Sequence, residues 1–232
     1  MNILALDSSS QALSVALGTE YGVWHTEIDA GAGHSELLME CIDGLCKLAG
    51  LSPKDLNMVS CMKGPGSFTG LRIGFSTAKG LALALGIPLI AVPTLDCLAH
   101  SFSTWPEIVL SAIDAKQGCF FAAFYREGNR LTDYFDASPV ALAREVVKVV
   151  SPGEPIILTG SGAQLLYSGL GPYIPAENFS FDKIKIDPEF MRGRAKDLLK
   201  MVKTGMYKED DIDSGPVYLR KSDAEQNLTK NI

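Results

Sequence analysis

Four short segments carry residue types that phosphate or nucleotide chemistry uses. Asp7 ends "NILALD" and is followed by Ser8, Ser9 and Ser10. A carboxylate beside small hydroxyls at a turn tip can hold a metal-bound phosphate, because backbone N–H groups and Ser side chains both donate to it. Asp7 and Ser8 would equally form an ordinary Asx or Ser turn with no ligand. "AIDAKQG" (112–118) puts Asp114 and Lys116 on a second turn, where Lys116 is either functional or merely solvated. "LTGSGA" (158–163) supplies Gly160 and Gly162 at a strand-to-helix junction, where a nucleotide could approach the backbone or the glycines could simply shape a turn. The fourth, "KGPGSFTGLRIG" (63–74), has neither G-x-x-x-x-G-K-[ST] spacing nor G-x-G-x-x-G after a first strand, so a compact structural turn is the safer reading.

Other catalytic sets are not met. Pro65 stands where the elbow G-x-S-x-G around Ser67 needs its first glycine. His25, His34 and His100 are too far apart for H-x-x-x-H, and the cysteines lack zinc spacing.

The elements that must position these turns follow a regular order. Short β-rich runs at 2–7, 12–18 and 21–28 read as two successive hairpins. Apolar residues at 38, 41, 42, 45, 48 and 49 then give a helix over 34–50. A strand at 56–62, a helix at 70–86 closed by Gly86 and Pro88, a strand at 88–92 and a helix near 94–103 complete the first half. After "STWP" (103–106) the order returns: strands near 107–114, 118–126 and 130–136, a helix at 139–150, a strand at 156–160, a helix at 161–169 and a last helix near 188–205. This predicts an α/β protein of two lobes, 1–103 and 104–232, each a mixed sheet with three leading antiparallel strands and flanking helices, the last segment packing back on the first lobe. The order matches the actin, hexokinase and Hsp70 (ASKHA) type of fold, in which related lobes face each other across a nucleotide cleft. In the tail, "KEDDID" (208–213) reads as a solvated loop, and Val217, Tyr218 and Leu219 as a short edge strand.

Bulk composition narrows the function classes. With 27 acidic against 21 basic side chains and a net charge of −6, the surface as a whole repels phosphate backbones, which argues against an independent nucleic-acid binder. The five cysteines form no C-x-x-C pair and read as reduced core thiols of a cytoplasmic protein. The N-terminus lacks a signal-peptide pattern, and no run of 18 apolar residues predicts a membrane span.

The first two helices are apolar over more than one face. On a wheel, Leu37 through Ala49 cover an arc of roughly 200°, where one buried face requires roughly 100° or more. In the second, small residues at 70, 74, 78 and 82 would let another helix approach closely. Burial between layers of the chain's own lobe is one explanation, and a helix-to-helix protein interface is the favoured one.

"GPGSFTGLRIG" (64–74), "NILALDSSS" (2–10), "AIDAKQG" (112–118) and "PVYLRKS" (216–222) together closely resemble the TsaB (YeaZ) family. The resemblance implies an ASKHA fold related to TsaD and a role as the non-catalytic, essential partner of TsaD. The pair forms the threonylcarbamoyl group on adenosine 37 of tRNAs that read codons starting with A. It further implies no cofactor, TsaE joining the complex, a homodimer when alone, and tRNA contact mainly through the partner. TsaD carries a metal-binding H-x-x-x-H just after a P-x-I-x-V strand; Thr94 and Leu98 stand at those positions, and His100 is two residues out of register. The family contact lies on the first two helices. The expected interface is therefore Leu38, Cys41, Ile42, Leu45, Leu71, Phe75, Ala78 and Ala82, with Phe75→Asp or Leu45→Asp breaking the pairing and sparing the fold. Asp7, Ser8, Ser9, Asp114, Gly160 and Gly162 would be a vestigial nucleotide site. An ASKHA small-molecule kinase and a metallopeptidase-like protein are the alternatives.

Overall fold

A computed structural model describes residues 1–174, 181–210 and 213–220. The last two residues of "PVYLRKS" and positions 211–212 of the acidic run lie outside the described residues. Six helices and eleven strands alternate along the described chain.

The first sheet comprises β1 (Ile3–Asp7), β2 (Ala12–Gly18), β3 (Val23–Asp29), β4 (Met58–Gly64) and β5 (Leu89–Pro93) in the order β3-β2-β1-β4-β5. Its first two pairings are antiparallel; β4 then lies parallel to β1, and β5 parallel to β4. The second sheet repeats this plan with β6 (Ile108–Asp114), β7 (Phe120–Arg126), β8 (Asn129–Arg130), β9 (Phe135–Ala137), β10 (Ile156–Thr159) and β11 (Ile184–Ile186). Its order is β11-β10-β6-β7-β8, with β9 also on β7. Chain order and sheet order correspond between the two halves, with β6 taking the central place of β1. The single third strand expected at 130–136 is split into β8 and β9, because the chain leaves β7 after two pairs and returns at Phe135. β11, three residues long, is too short to read from sequence pattern.

Helices cover both faces of each sheet, which is why β1 is apolar without alternation. Leu4 and Leu6 face α1 (His34–Leu48) and α2 (Phe68–Leu85), whereas Ile3 and Ala5 face α6 (Ala195–Lys203). α4 (Pro139–Val149) and α5 (Ala163–Leu170) pack on Ile108, Leu110 and Ala112. The other face of the second sheet meets Leu95 and Leu98 of α3 (Thr94–His100). α6 is shorter than expected, because residues 188–194 form turns. α3 is fastened to the second half by its Asp96 carboxylate, which accepts the hydroxyls of Tyr125 at 2.7 Å and Tyr134 at 2.9 Å. Tyr207 donates to the same carboxylate at 3.1 Å.

The tail is not the expected edge strand. Val217 donates one backbone bond to Lys63 at 2.7 Å, and the chain then turns so that the Tyr218 ring lies 4.7 Å from that of Phe68. Asp210, inside the acidic run, is not simply solvated: it pairs with Lys63 and accepts the Ala91 N–H at 2.8 Å. All five cysteines are free, four of them buried. Among the described residues no helix is long and apolar enough to cross a membrane.

Candidate functional site

The β1–β2 turn is held entirely by the chain itself. Asp7 is buried, and its Oδ1 accepts both the Ser9 N–H at 2.9 Å and the Ser9 hydroxyl at 2.6 Å. Its Oδ2 accepts the backbone N–H of Arg194 at 2.7 Å. The Ser8 hydroxyl donates to the Gly70 carbonyl at 2.8 Å, so Ser8 and Ser9 are structural members of the turn.

These contacts explain the glycine loop. A Cβ on Gly70 or Gly74 would overlap the Ser8 carbonyl or hydroxyl oxygen, and one on Gly66 would stand 2.6 Å from the Ser9 carbonyl oxygen. Ser67 donates its N–H to that same Ser9 oxygen at 2.7 Å and caps α2 by accepting the Gly70 N–H at 3.3 Å. The loop is thus a seat for the β1–β2 turn, built of residues without side chains because two stretches of backbone meet there. Gly70→Ala is expected to lower stability by about 1–3 kcal/mol, since the obstacle is backbone that cannot rotate away. Thermal denaturation should show a melting temperature lower by about 3–10 °C.

The second turn has the same self-contained character. Asp114 accepts the backbone N–H and the ammonium of Lys116, each at 2.8 Å. Burial pushes its carboxyl up, but these bonds and the Lys116 charge outweigh burial and hold it below the usual carboxylate range. Gly160 and Gly162 lie against β6. A Cβ on Gly160, at φ +93°, would stand 2.5 Å from the Ala112 carbonyl oxygen, and one on Gly162 would stand 2.9 Å from the Asp114 nitrogen. The close approach that glycine permits here is to β6, as a structural turn requires.

Between the turns, Asp7 and Ser9 of the first half face Ile113 and Ser161 of the second across a cavity also lined by Thr94 and Arg194. Its free volume of about 20 Å³ has room for roughly one water molecule. Arg194 lines this recess, buried against Asp187, Thr159 and Ser101. These residues carry no sequence signal beyond a charged "RGRAKD" ahead of an amphipathic helix, which reads as surface. Thr94 and Leu98 are buried in α3, and among the described residues no three His, Cys, Asp or Glu side chains are grouped to hold a metal.

The family model for TsaD, tRNA N6-adenosine threonylcarbamoyltransferase, matches residues 23–190. The chain belongs to the TsaD family. Within that family its similarity is to TsaB, also called YeaZ. The TsaB of Escherichia coli is 37% identical over 135 residues, 56% of this chain and 57% of that protein. The TsaB of Bacillus subtilis is 35% identical over 134 residues, 57% of this chain and 58% of that protein. The chain thus spans little more than half the length of these curated relatives. YeaZ from Pseudomonas aeruginosa superimposes with a TM-score of 0.73 at 26% identity, covering 94% of this chain and 99% of that one. The two-lobed ASKHA architecture is the fold of this TsaD-family chain.

The eight residues expected at a partner interface lie elsewhere. Leu38, Cys41, Ile42, Leu45, Phe75, Ala78 and Ala82 are buried in one core cluster with Leu4, Leu6, Leu13 and Val59, and Leu71 is buried in the cluster against α6. This corrects the sequence expectation: the apolar stripes of α1 and α2 are consumed by the first sheet. The faces that TsaD-family α1 and α2 turn outward are different. They carry Met39 and Leu83, 51% and 60% exposed. Gly80 lies beside Leu83 on α2, and Gly44 lies on the flank of α1 away from Met39; an added Cβ at either glycine would meet nothing within 4 Å.

Proposed function

We propose that the chain is a non-catalytic partner subunit of TsaD in the formation of the threonylcarbamoyl group on adenosine 37 of tRNAs that read codons starting with A. The relationship to TsaB and YeaZ supports the pathway. One observation carries the partner role. Gly44 and Gly80 sit inside helices, where glycine costs roughly 0.5–1 kcal/mol relative to alanine, yet nothing in their own chain needs the space. Bare backbone on the outer faces of adjacent helices suits the close approach of a helix from another molecule.

TsaD takes this face in the complex, and a second copy of the chain takes it when TsaD is absent. The net charge of −6 leaves most tRNA contact to TsaD. Gly80→Ala tests the assignment because its two effects oppose each other. The isolated chain should gain about 0.5–1 kcal/mol in denaturant unfolding. Its affinity for TsaD by titration calorimetry should fall about tenfold or more, a loss of roughly 1.4 kcal/mol. Unchanged affinity with a stabilised chain would place the partner elsewhere.

A further inference from the structure

Arg194, just before α6, has a side chain only 6% exposed, although a guanidinium is costly to bury unless every part of it is matched. Its partners come from both halves of the molecule. From the first half, Asp7 accepts its backbone N–H and the Ser101 hydroxyl accepts from Nη1 at 3.2 Å, while Asp197 of the adjoining α6 lies 3.7 Å from Nη1. From the second half, Nη2 pairs with the Asp187 carboxylate and donates to the Glu189 carbonyl at 3.1 Å and to the Thr159 hydroxyl at 3.4 Å. Asp187 is itself fixed by the Thr159 hydroxyl at 2.7 Å. A planar fork with five donors can reach two walls at once, which a single ammonium cannot. Arg194 Nε and Thr94 Oγ1 are buried without a protein partner, and both residues line the one-water cavity between the turns.

We propose that Arg194 is an interlobe clasp: its guanidinium ties Asp187 and Thr159 at the end of the second sheet to Ser101 just after α3, while its backbone N–H holds Asp7 of the first sheet, so that the chain itself joins the two halves without a bound nucleotide.

Chemical rescue tests this on the full chain. Arg194→Ala should lower the melting temperature by about 10 °C or more, since it leaves the buried Asp187 carboxylate without its counter-charge. Guanidinium chloride at roughly 10 mM, far below denaturing levels, should return part of that loss, about 2 °C or more, and leave the parent chain unchanged. Methylammonium at the same concentration should return nothing, because it lacks the fork. Magnesium ATP at ~1 mM should not shift the parent chain. Should Arg194→Ala not fold, Arg194→Gly purified in guanidinium and then dialysed gives the same reading through loss of near-ultraviolet dichroism on removing the ion. Three results would overturn the proposal: Arg194→Ala melting within 2 °C of the parent, equal rescue by methylammonium and guanidinium or rescue by neither, or stabilisation of the parent by magnesium ATP by several degrees.

Discussion

Phe75→Asp is expected to unfold the chain. Phe75 is 3% exposed in α2 and packs in the cluster that joins α1 and α2 to β1, β2 and β4. Truncating a buried Phe alone costs about 3–5 kcal/mol. A carboxylate left unpaired in that space adds several more. Together these approach or exceed the total stability of about 5–15 kcal/mol that a domain has. Far-ultraviolet dichroism at 25 °C should show lost helix, and the variant should collect in the insoluble fraction on expression. Leu45→Asp, 3% exposed in the same cluster, should behave alike. A soluble, folded Phe75→Asp that merely fails to bind TsaD would restore the sequence-based assignment of this residue to the interface.

Met39→Asp combined with Leu83→Asp is expected to do the opposite. Both side chains stand on the outer faces of α1 and α2 at more than half exposure. Surface substitutions of this kind change stability by about ±0.5 kcal/mol each, so the melting temperature of the double variant should move by no more than about 4 °C. At a contact with TsaD the same two carboxylates would have to be dried out without partners. Affinity should therefore fall by at least about 100-fold, roughly 2.7 kcal/mol. Pull-down on immobilised TsaD checks the loss, and retained binding would move the contact off these helices.

The contrast between the pairs shows what was legible in the sequence. Period and punctuation are local, so the order of strands and helices could be read, together with the matching halves. The direction in which a helix faces is not local. A wheel shows that Leu45, Phe75 and Ala82 share apolar stripes, but it does not show that the first sheet covers them. The glycines of 64–74 announce a close approach without naming what approaches: Ser8 lies 62 positions from Gly70. Arg194 is less legible still, since its backbone partner Asp7 is 187 positions away and its fork closes between the end of the second sheet and Ser101. An arginine in a polar stretch looks solvated until both walls are in place. Asp7 and Asp114 were visible as matched turns, and both do stand at the ends of equivalent central strands. In the folded chain their hydrogen-bond partners are Ser9, Arg194 and Lys116.

The partner role is tested most directly by the mass, from light scattering on a sizing column, of this chain mixed with TsaD from the same organism. The prediction is one species containing both proteins in fixed proportion, formed by the parent and by Gly70→Ala that has folded, and absent for Met39→Asp with Leu83→Asp. Two separately eluting proteins at micromolar concentration, with the parent chain folded, would contradict it.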